Sequence, residues 1–273
     1  MTIHVRAPAT SANLGSGFDV AAVAFELWNE LEVGERAGSP PPDREHLGVR
    51  AFAGYADPDG YAFRFTDRIP RERGLGSSAA VVALGLVAGA AAADASPSVD
   101  ELLEAGLELE GHPDNLAAAL AGGVCLTWEG RIARIADDVP ADALAVVPKE
   151  RVKTAEARAS LPEAVRHADA VFSAGRAALL GAALAAGDAR LLAASADDRL
   201  HEPYRAARAP HLHAIRDDLP AGALGATLSG SGPTVIVWAE RGRADEVAAE
   251  LGRRFPEHDV LHLAVATKGA GAA

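Results

Sequence analysis

Lysine is almost absent from this chain. Only Lys149, Lys153 and Lys268 occur in 273 residues, and with 38 acidic side chains against 26 basic ones the net charge is −12. The acidity therefore argues against non-specific binding to nucleic acid or to an anionic membrane surface, both of which rest on a basic footprint. A polyanionic small molecule would have to be held by backbone N–H groups, arginines and a metal. Cysteine is limited to Cys125, which can form neither an internal disulfide nor a thiolate metal cluster and fits a small core residue in a reducing compartment. Residues 1–6 lack a charged region followed by an apolar stretch, so no signal peptide is expected and a cytoplasmic location is. Long Leu/Ile runs are missing as well. The longest uncharged stretch, 74–93, is mostly Gly, Ala and Ser, which fits a buried helix better than a membrane span.

What is present is an ordinary globular balance, 49% hydrophobic and 23% charged, in a chain long enough for one large domain or two packed ones. Alternation predicts strands over 3–7, 31–33 and 61–66, with a Ser/Gly/Asn-rich loop over 8–19 and an apolar segment over 20–27. A helix is expected to begin near His46. Strand, glycine loop and helix follow over 61–93, then a helix over 99–110 stopped by Gly111 and a short one over 115–120. Short strands are expected over 124–127, 132–135 and 144–147, with a soft boundary near 150. Helices are expected over 164–186 and 189–200, a loop over 229–233, a strand over 234–238 and a helix from Ala244. The alanine-rich last few residues should fray.

Four motifs carry chemistry. In Gly74-Leu75-Gly76-Ser77-Ser78-Ala79-Ala80, small residues let the backbone approach an anion while the following helix aims its unpaired N–H groups at it. The nucleotide-hydrolase loop would need a Lys beside the Ser, and the dinucleotide fingerprint a third glycine; neither occurs. A capped helix after a glycine turn has the same appearance. The segment from Pro8 to Asp19 sets Asn13 and Asp19 six residues apart, a pair that could hold an ammonium group or form a plain Asx turn. Glu110-Gly111-His112-Pro113-Asp114-Asn115 gathers two carboxylates, an imidazole and an amide at a helix-to-helix turn. That set suits Mg²⁺ with a hydroxyl, and it lacks the second histidine expected of catalytic zinc. Ser229-Gly230-Ser231-Gly232-Pro233 could brace the first loop. Arg158 and Arg205, taken singly, fit surface salt bridges.

In this order the four motifs resemble the GHMP kinases, named for galacto-, homoserine, mevalonate and phosphomevalonate kinase. Pro8 to Asp19, Glu110 to Asn115, Thr154-Ala155-Glu156-Ala157-Arg158 and His201-Glu202-Pro203-Tyr204-Arg205 look like the homoserine kinase branch. The resemblance implies an α+β fold of two domains, a ribosomal protein S5 domain 2-like one over 1–150 and a ferredoxin-like one over 151–273. It also implies ATP, Mg²⁺, L-homoserine as substrate and a homodimer. Carried over by position, Asn13, Asp19, His112, Arg158 and Arg205 hold the amino acid with Thr154 nearby, and Asn115 with Arg205 orients the reacting hydroxyl. The loop from Gly74 to Ala80 wraps the phosphates. Ser78 and Glu110 hold the metal, with Glu104 a rival for the second position. These roles suit a zwitterion, which needs a carboxylate for its ammonium and fork-like donors for its carboxylate. Phosphoryl transfer rests on alignment and charge stabilisation, so Asp114 is given no role as base. Two other readings share the loop: a GHMP kinase for another alcohol such as mevalonate, and a non-catalytic nucleotide-binding module. The presence of Glu110, Asn115 and Arg205 argues against the second.

Overall fold

A computed structural model describes residues 2–152 and 154–273, with the backbone alone for Thr154 and Ala155. The chain opens with a long hairpin of β1, Ile3–Asn13, and β2, Gly17–Glu35. The strand expected over 3–7 thus runs on through the Ser/Ala/Asn segment that looked like a loop, and only residues 14–16 turn. Its composition misled because β1 is covered on both faces. From Ala7 to Asn13 every side chain is buried, so alternation disappears and short side chains are what fits. The hairpin register shifts at Pro8/Ala9, where proline has no N–H to give the ladder, and again at Ala12/Asn13.

After α1, Leu47–Ala53, comes β3, Tyr61–Thr66, paired to β2. Three helices then cover the sheet: α2, Ser77–Ala92; α3, Val99–Glu110; and α4, Pro113–Ala121. The α3 ends are written in sequence. Ser98 and Glu101 form a reciprocal capping box, and Gly111 stops the helix at φ 79°. The stretch expected to be a buried helix is α2, whose side chains from Ala79 to Leu86 are all enclosed. β4, Val124–Trp128, and β5, Arg131–Ala136, complete that side of the sheet.

β6, Asp142–Val147, belongs to a second sheet of four antiparallel strands. Next come α5, Thr154–Arg158; α6, His167–Ala186; α7, Ala189–Ser195; the single turn α8, Glu202–Arg205; and α9, Pro210–Asp217. The sheet is finished by β7, Ala223–Leu228, β8, Val235–Ala239, and β9, Asp259–Leu263, with α10, Ala244–Arg254, between the last two. Its order is β7-β8-β6-β9. Strand periodicity divides its side chains between two cores. Ala143, Ala145, Ile236 and Trp238 enter the large core shared with the first sheet, while Leu144, Val146, Val235 and Val237 face a smaller one with Leu212, Ile215, Val247 and Leu251. Among the described residues α6 is the one helix long and apolar enough to cross a membrane by length and composition. Here it packs on α7 and against β5 and β2.

The expected helix over 189–200 ends at Ser195, because Asp198 turns back to accept the N–H groups of Leu200, His201 and Glu202. The C-terminal residues do not fray. Gly271–Ala272 is β10, paired to the outer edge of β1, and the Ala273 N–H reaches the His4 carbonyl at 3.1 Å. Just before it the chain lies on the end of α4, with the Ala270 N–H 2.7 Å from the Ala119 oxygen. A Cβ at Gly269 would stand 2.0 Å from the Leu120 carbonyl oxygen. Gly269→Ala should therefore cost about 1–3 kcal/mol, as overpacking against backbone does. Urea unfolding measures it, and an unshifted midpoint would mean that this tail is not held against α4.

Candidate active site

The glycine loop sits where three segments meet. Gly74 and Gly76 adopt φ of 82° and 66°, which bends the chain into α2 without a side-chain cap and with no acidic residue in the first turn. The first N–H groups of α2 are thus left for a ligand at the positive end of a 16-residue helix. On one side the Thr10 N–H donates to the Leu75 carbonyl at 3.1 Å, and a Cβ at Gly76 would fall 1.8 Å from Thr10 Oγ1. On the other, Ser229 Oγ lies 2.5 Å from the Gly74 carbonyl and the Thr234 N–H donates to Arg73. Ser229–Pro233 therefore does brace the first loop, as its composition suggested.

Around this loop the structure assembles the predicted side chains into one cavity of about 220 Å³, lined by Asn13, Asp19, Gly74, Gly76, Ser77, Ser78, Glu110, His112, Asn115, Arg158 and Arg205. Leu75, Ala79 and Ala80 are buried behind it. The Thr154 side chain lies outside the described residues. Asn13 is spent on architecture: its Oδ1 accepts the Asp19 N–H at 3.0 Å and its Nδ2 donates to the Gly230 carbonyl at 3.1 Å. Asp19, in left-handed backbone at φ 57°, receives Arg158 Nη2 on both oxygens at 2.7 and 3.0 Å. The pair is about one-third exposed, so water can reach it. Arg205, 3% exposed, donates through Nη1 to the Gly230 carbonyl at 3.0 Å. Nε of both arginines is buried with no partner among the described residues.

Ser78 Oγ donates to Glu110 Oε2 at 2.7 Å, bringing the two proposed metal ligands together; Glu104 is exposed and does not line the cavity. No group of three His, Cys, Asp or Glu side chains that could hold a metal occurs among the described residues. Two oxygen donors beside the glycine loop still fit Mg²⁺, which keeps several waters and would take phosphate oxygens for the rest. Burial pushes the Glu110 carboxyl up to about 7 against the Ser78 hydrogen bond, and pushes Asp114 up to about 6. Asp114 Oδ1 is engaged by the Asn115 N–H at 2.6 Å. Asn115 takes the Thr10 hydroxyl on Oδ1 at 2.7 Å and gives one Nδ2 hydrogen to Asp114 Oδ1 at a long 3.4 Å, which leaves the second Nδ2 hydrogen for the cavity.

Sequence reasoning missed several parts of the site. Thr10 orients both Asn115 and the glycine loop, and its only signal was a hydroxyl residue inside a segment mistaken for a loop. A second cavity of about 430 Å³ starts at Glu72, Ser77 and Ser78 and extends to His46, Leu47, Arg71, Val81 and Arg151. None of these five was singled out, because a space lined from separate elements leaves no local motif.

Against known families, residues 45–123 match the GHMP kinases N terminal domain and residues 180–257 the GHMP kinases C terminal domain. The chain is 41% identical over 274 aligned positions to homoserine kinase from Streptomyces avermitilis, covering 92% of this chain and 90% of that one. It belongs to the GHMP kinase family. Homoserine kinase from Desulfitobacterium hafniense is 34% identical over 98% of this GHMP kinase and 99% of its own length. Among solved structures, homoserine kinase from Cytophaga hutchinsonii superposes with a TM-score of 0.86 at 27% identity, covering 100% and 97% of the two chains. The putative homoserine kinase of Listeria monocytogenes gives 0.83 at 30% identity over 99% of both. A mevalonate kinase, at 16% identity and a TM-score of 0.70, shares the fold. The family makes the chain a kinase acting on an alcohol, with ATP as cosubstrate.

Glu110 offers a test of this electrostatic setting. Its pKa rises from 4.5 to about 7 in the folded protein. On raising the pH the unfolded chain releases this proton first, so the contribution is present below about 4.5 and lost through about 7. Glu110→Gln keeps an acceptor for Ser78 and carries no titration. Its melting temperature should rise relative to wild type between about pH 5 and pH 8; a constant offset across that range would show that the carboxyl is not held protonated.

Proposed function

We propose that this GHMP kinase transfers the γ-phosphoryl group of ATP to the hydroxyl of L-homoserine, giving O-phospho-L-homoserine and ADP, a step of threonine biosynthesis in the cytoplasm. The observation that carries the reading is the Asp19–Arg158 pair, set beside Arg205 in a cavity that opens onto the phosphate loop. The pair is a zwitterion's complement already folded against itself. An incoming α-amino acid would replace one internal contact with two, giving its ammonium to Asp19 and its carboxylate to Arg158. The curated relatives, named as homoserine kinases over nearly all of this chain, support the same substrate.

With the amino acid so anchored, its side-chain hydroxyl would meet Asn115 Nδ2 and the guanidinium of Arg205. Asn13 holds the turn that carries Asp19, and His112 and Thr154 complete the substrate group. The N–H groups from Gly74 to Ala80 would take the phosphates, with the nucleoside in the 430 Å³ cavity next to them. Ser78 and Glu110 would hold Mg²⁺, whose charge, when bound, offsets that on the phosphate oxygens. Arg205 would stabilise the charge that builds on the transferred group, in a place water scarcely reaches. A homodimer is the family-based part of this reading.

A coupled ADP assay across homoserine, mevalonate and sugars tests the proposal: homoserine should support turnover, and ADP release with mevalonate alone would overturn it. Arg205→Ala should lower turnover by about a hundredfold as well as raise the homoserine KM, because it acts at the reacting end. Wild-type kinetics would remove Arg205 from that role. Ser78→Ala should chiefly raise the KM for Mg-ATP, and no change would move the metal elsewhere.

A further inference from the structure

Arg205 can act on a reacting hydroxyl only if its guanidinium is held in one plane, and the holding group is not in the cavity. His201 precedes it by one helical turn and is fully enclosed. Its backbone is fixed by Asp198 Oδ2, which accepts the N–H groups of Leu200, His201 and Glu202 at 2.9, 2.7 and 3.1 Å; Ser173 donates to the other carboxylate oxygen at 2.9 Å. The imidazole Nε2 lies 2.9 Å from the Gly15 carbonyl oxygen. A carbonyl only accepts, so Nε2 carries the hydrogen. Asp198 Oδ2, at 3.7 Å from Nε2, is beyond hydrogen-bond reach. Burial, only partly opposed by the Asp198 carboxylate and reinforced by Arg205, pulls the imidazole below its ordinary range. The ring is therefore neutral near pH 7, and Nδ1 keeps its lone pair.

That lone pair faces Arg205 Nη1 at 3.1 Å, the same nitrogen that donates to the Gly230 carbonyl at 3.0 Å. Both Nη1 hydrogens are thus committed, one to the imidazole and one to the Gly230 carbonyl. Phe18, close to the Gly15 turn, stacks on the imidazole with centroids 4.9 Å apart and an 18° tilt, and its ring also lies 5.3 Å from the Arg205 guanidinium carbon. We infer that His201, as its Nε2–H tautomer, is a positioning residue that ties the Gly15 turn to Arg205 and sets the guanidinium plane for phosphoryl transfer. The inference rests on the reading above for Arg205's task and adds the group that aims it.

Two amide variants separate the ring's two bonds. Asn at 201 can present an acceptor near the place of Nδ1, and Gln a donor near the place of Nε2. His201→Asn should keep kcat with homoserine within about threefold of wild type, while His201→Gln, with the Arg205 acceptor lost, should lose about ten- to a hundredfold in kcat. The KM for ATP should be unchanged in both. A residue that merely fills space would give the two variants equal kcat, and that result would overturn the inference. Proton–nitrogen correlation spectra of histidine-labelled protein, with the His201 signals identified by their loss in the variants, test the tautomer without substrate. Protonated Nε2 with bare Nδ1 near pH 7 is expected; protonated Nδ1 or an imidazolium would overturn the inference even if a variant failed to fold. Wild-type protein inactive on homoserine would overturn the function proposed above, and the spectrum would still judge His201.

Discussion

The backbone of Gly230 is the point on which the site depends. Its N–H donates to the Ala12 carbonyl at 3.1 Å, and its own carbonyl accepts from Asn13 and from Arg205. A loop of the second sheet is thereby fastened to the end of β1, next to the turn that carries Asp19. The neighbouring Ser229 hydroxyl reaches Ser11 at 2.8 Å and Gly74, so the same segment also fixes the glycine loop. The proposed substrate and phosphate positions are consequently tied to one five-residue segment. A Cβ at Gly74 would meet the Ser229 carbonyl oxygen at 2.3 Å, which is why the seam closes only around glycine.

Which valences the protein uses, and which it leaves, separates scaffold from chemistry. Asn13 has a bond at each end of its amide, and Asn115 has Oδ1 taken by Thr10 and one Nδ2 hydrogen on Asp114 at a long 3.4 Å, with the second Nδ2 hydrogen left for the cavity it lines. Each arginine has a committed terminal nitrogen and a buried Nε lacking a partner. Leaving a buried charged donor unsatisfied is costly, and natural folds keep such groups where a ligand or water completes them. The proposed roles follow this division. In the proposed site the arginines, whose buried Nε groups have no partner among the described residues, are the donors with most left to give a ligand.

Much of this was legible in the sequence, in proportion to how local the physics is. The 99–110 helix was bounded correctly because its capping box and C-terminal glycine act within a few residues, and β3 because it alternates. β1 was cut short because burial on both faces erases alternation and favours the small residues that also make loops. β10 was missed because two residues of Gly and Ala gain strand form only from the β1 edge beside them. The site divided in the same way. Motif residues with side chains in the cavity were found, while Thr10 was given no role, since its hydroxyl is paired with Asn115, 105 positions away.

The shortage of lysine also acquires a physical meaning. A flexible ammonium is strongly hydrated and would compete with a zwitterion's own amine for Asp19, whereas a guanidinium fixed by two acceptors leaves defined donors and little freedom. Crowding two such cations carries a penalty, visible in Arg205, whose pKa is pulled below the ordinary range by burial and by Arg158. Asp19, Asp114 and Asp198 oppose that shift from different sides. An added phosphate would tip the balance further toward the charged arginines, so the cavity gains most from the ligand whose charge its own residues have left uncompensated. Helix α2 adds its N-terminal dipole to the same point without adding a titratable group. An acidic chain can in this way hold a polyanion with no net basic surface, because the positive potential is built from buried, oriented groups at one seam.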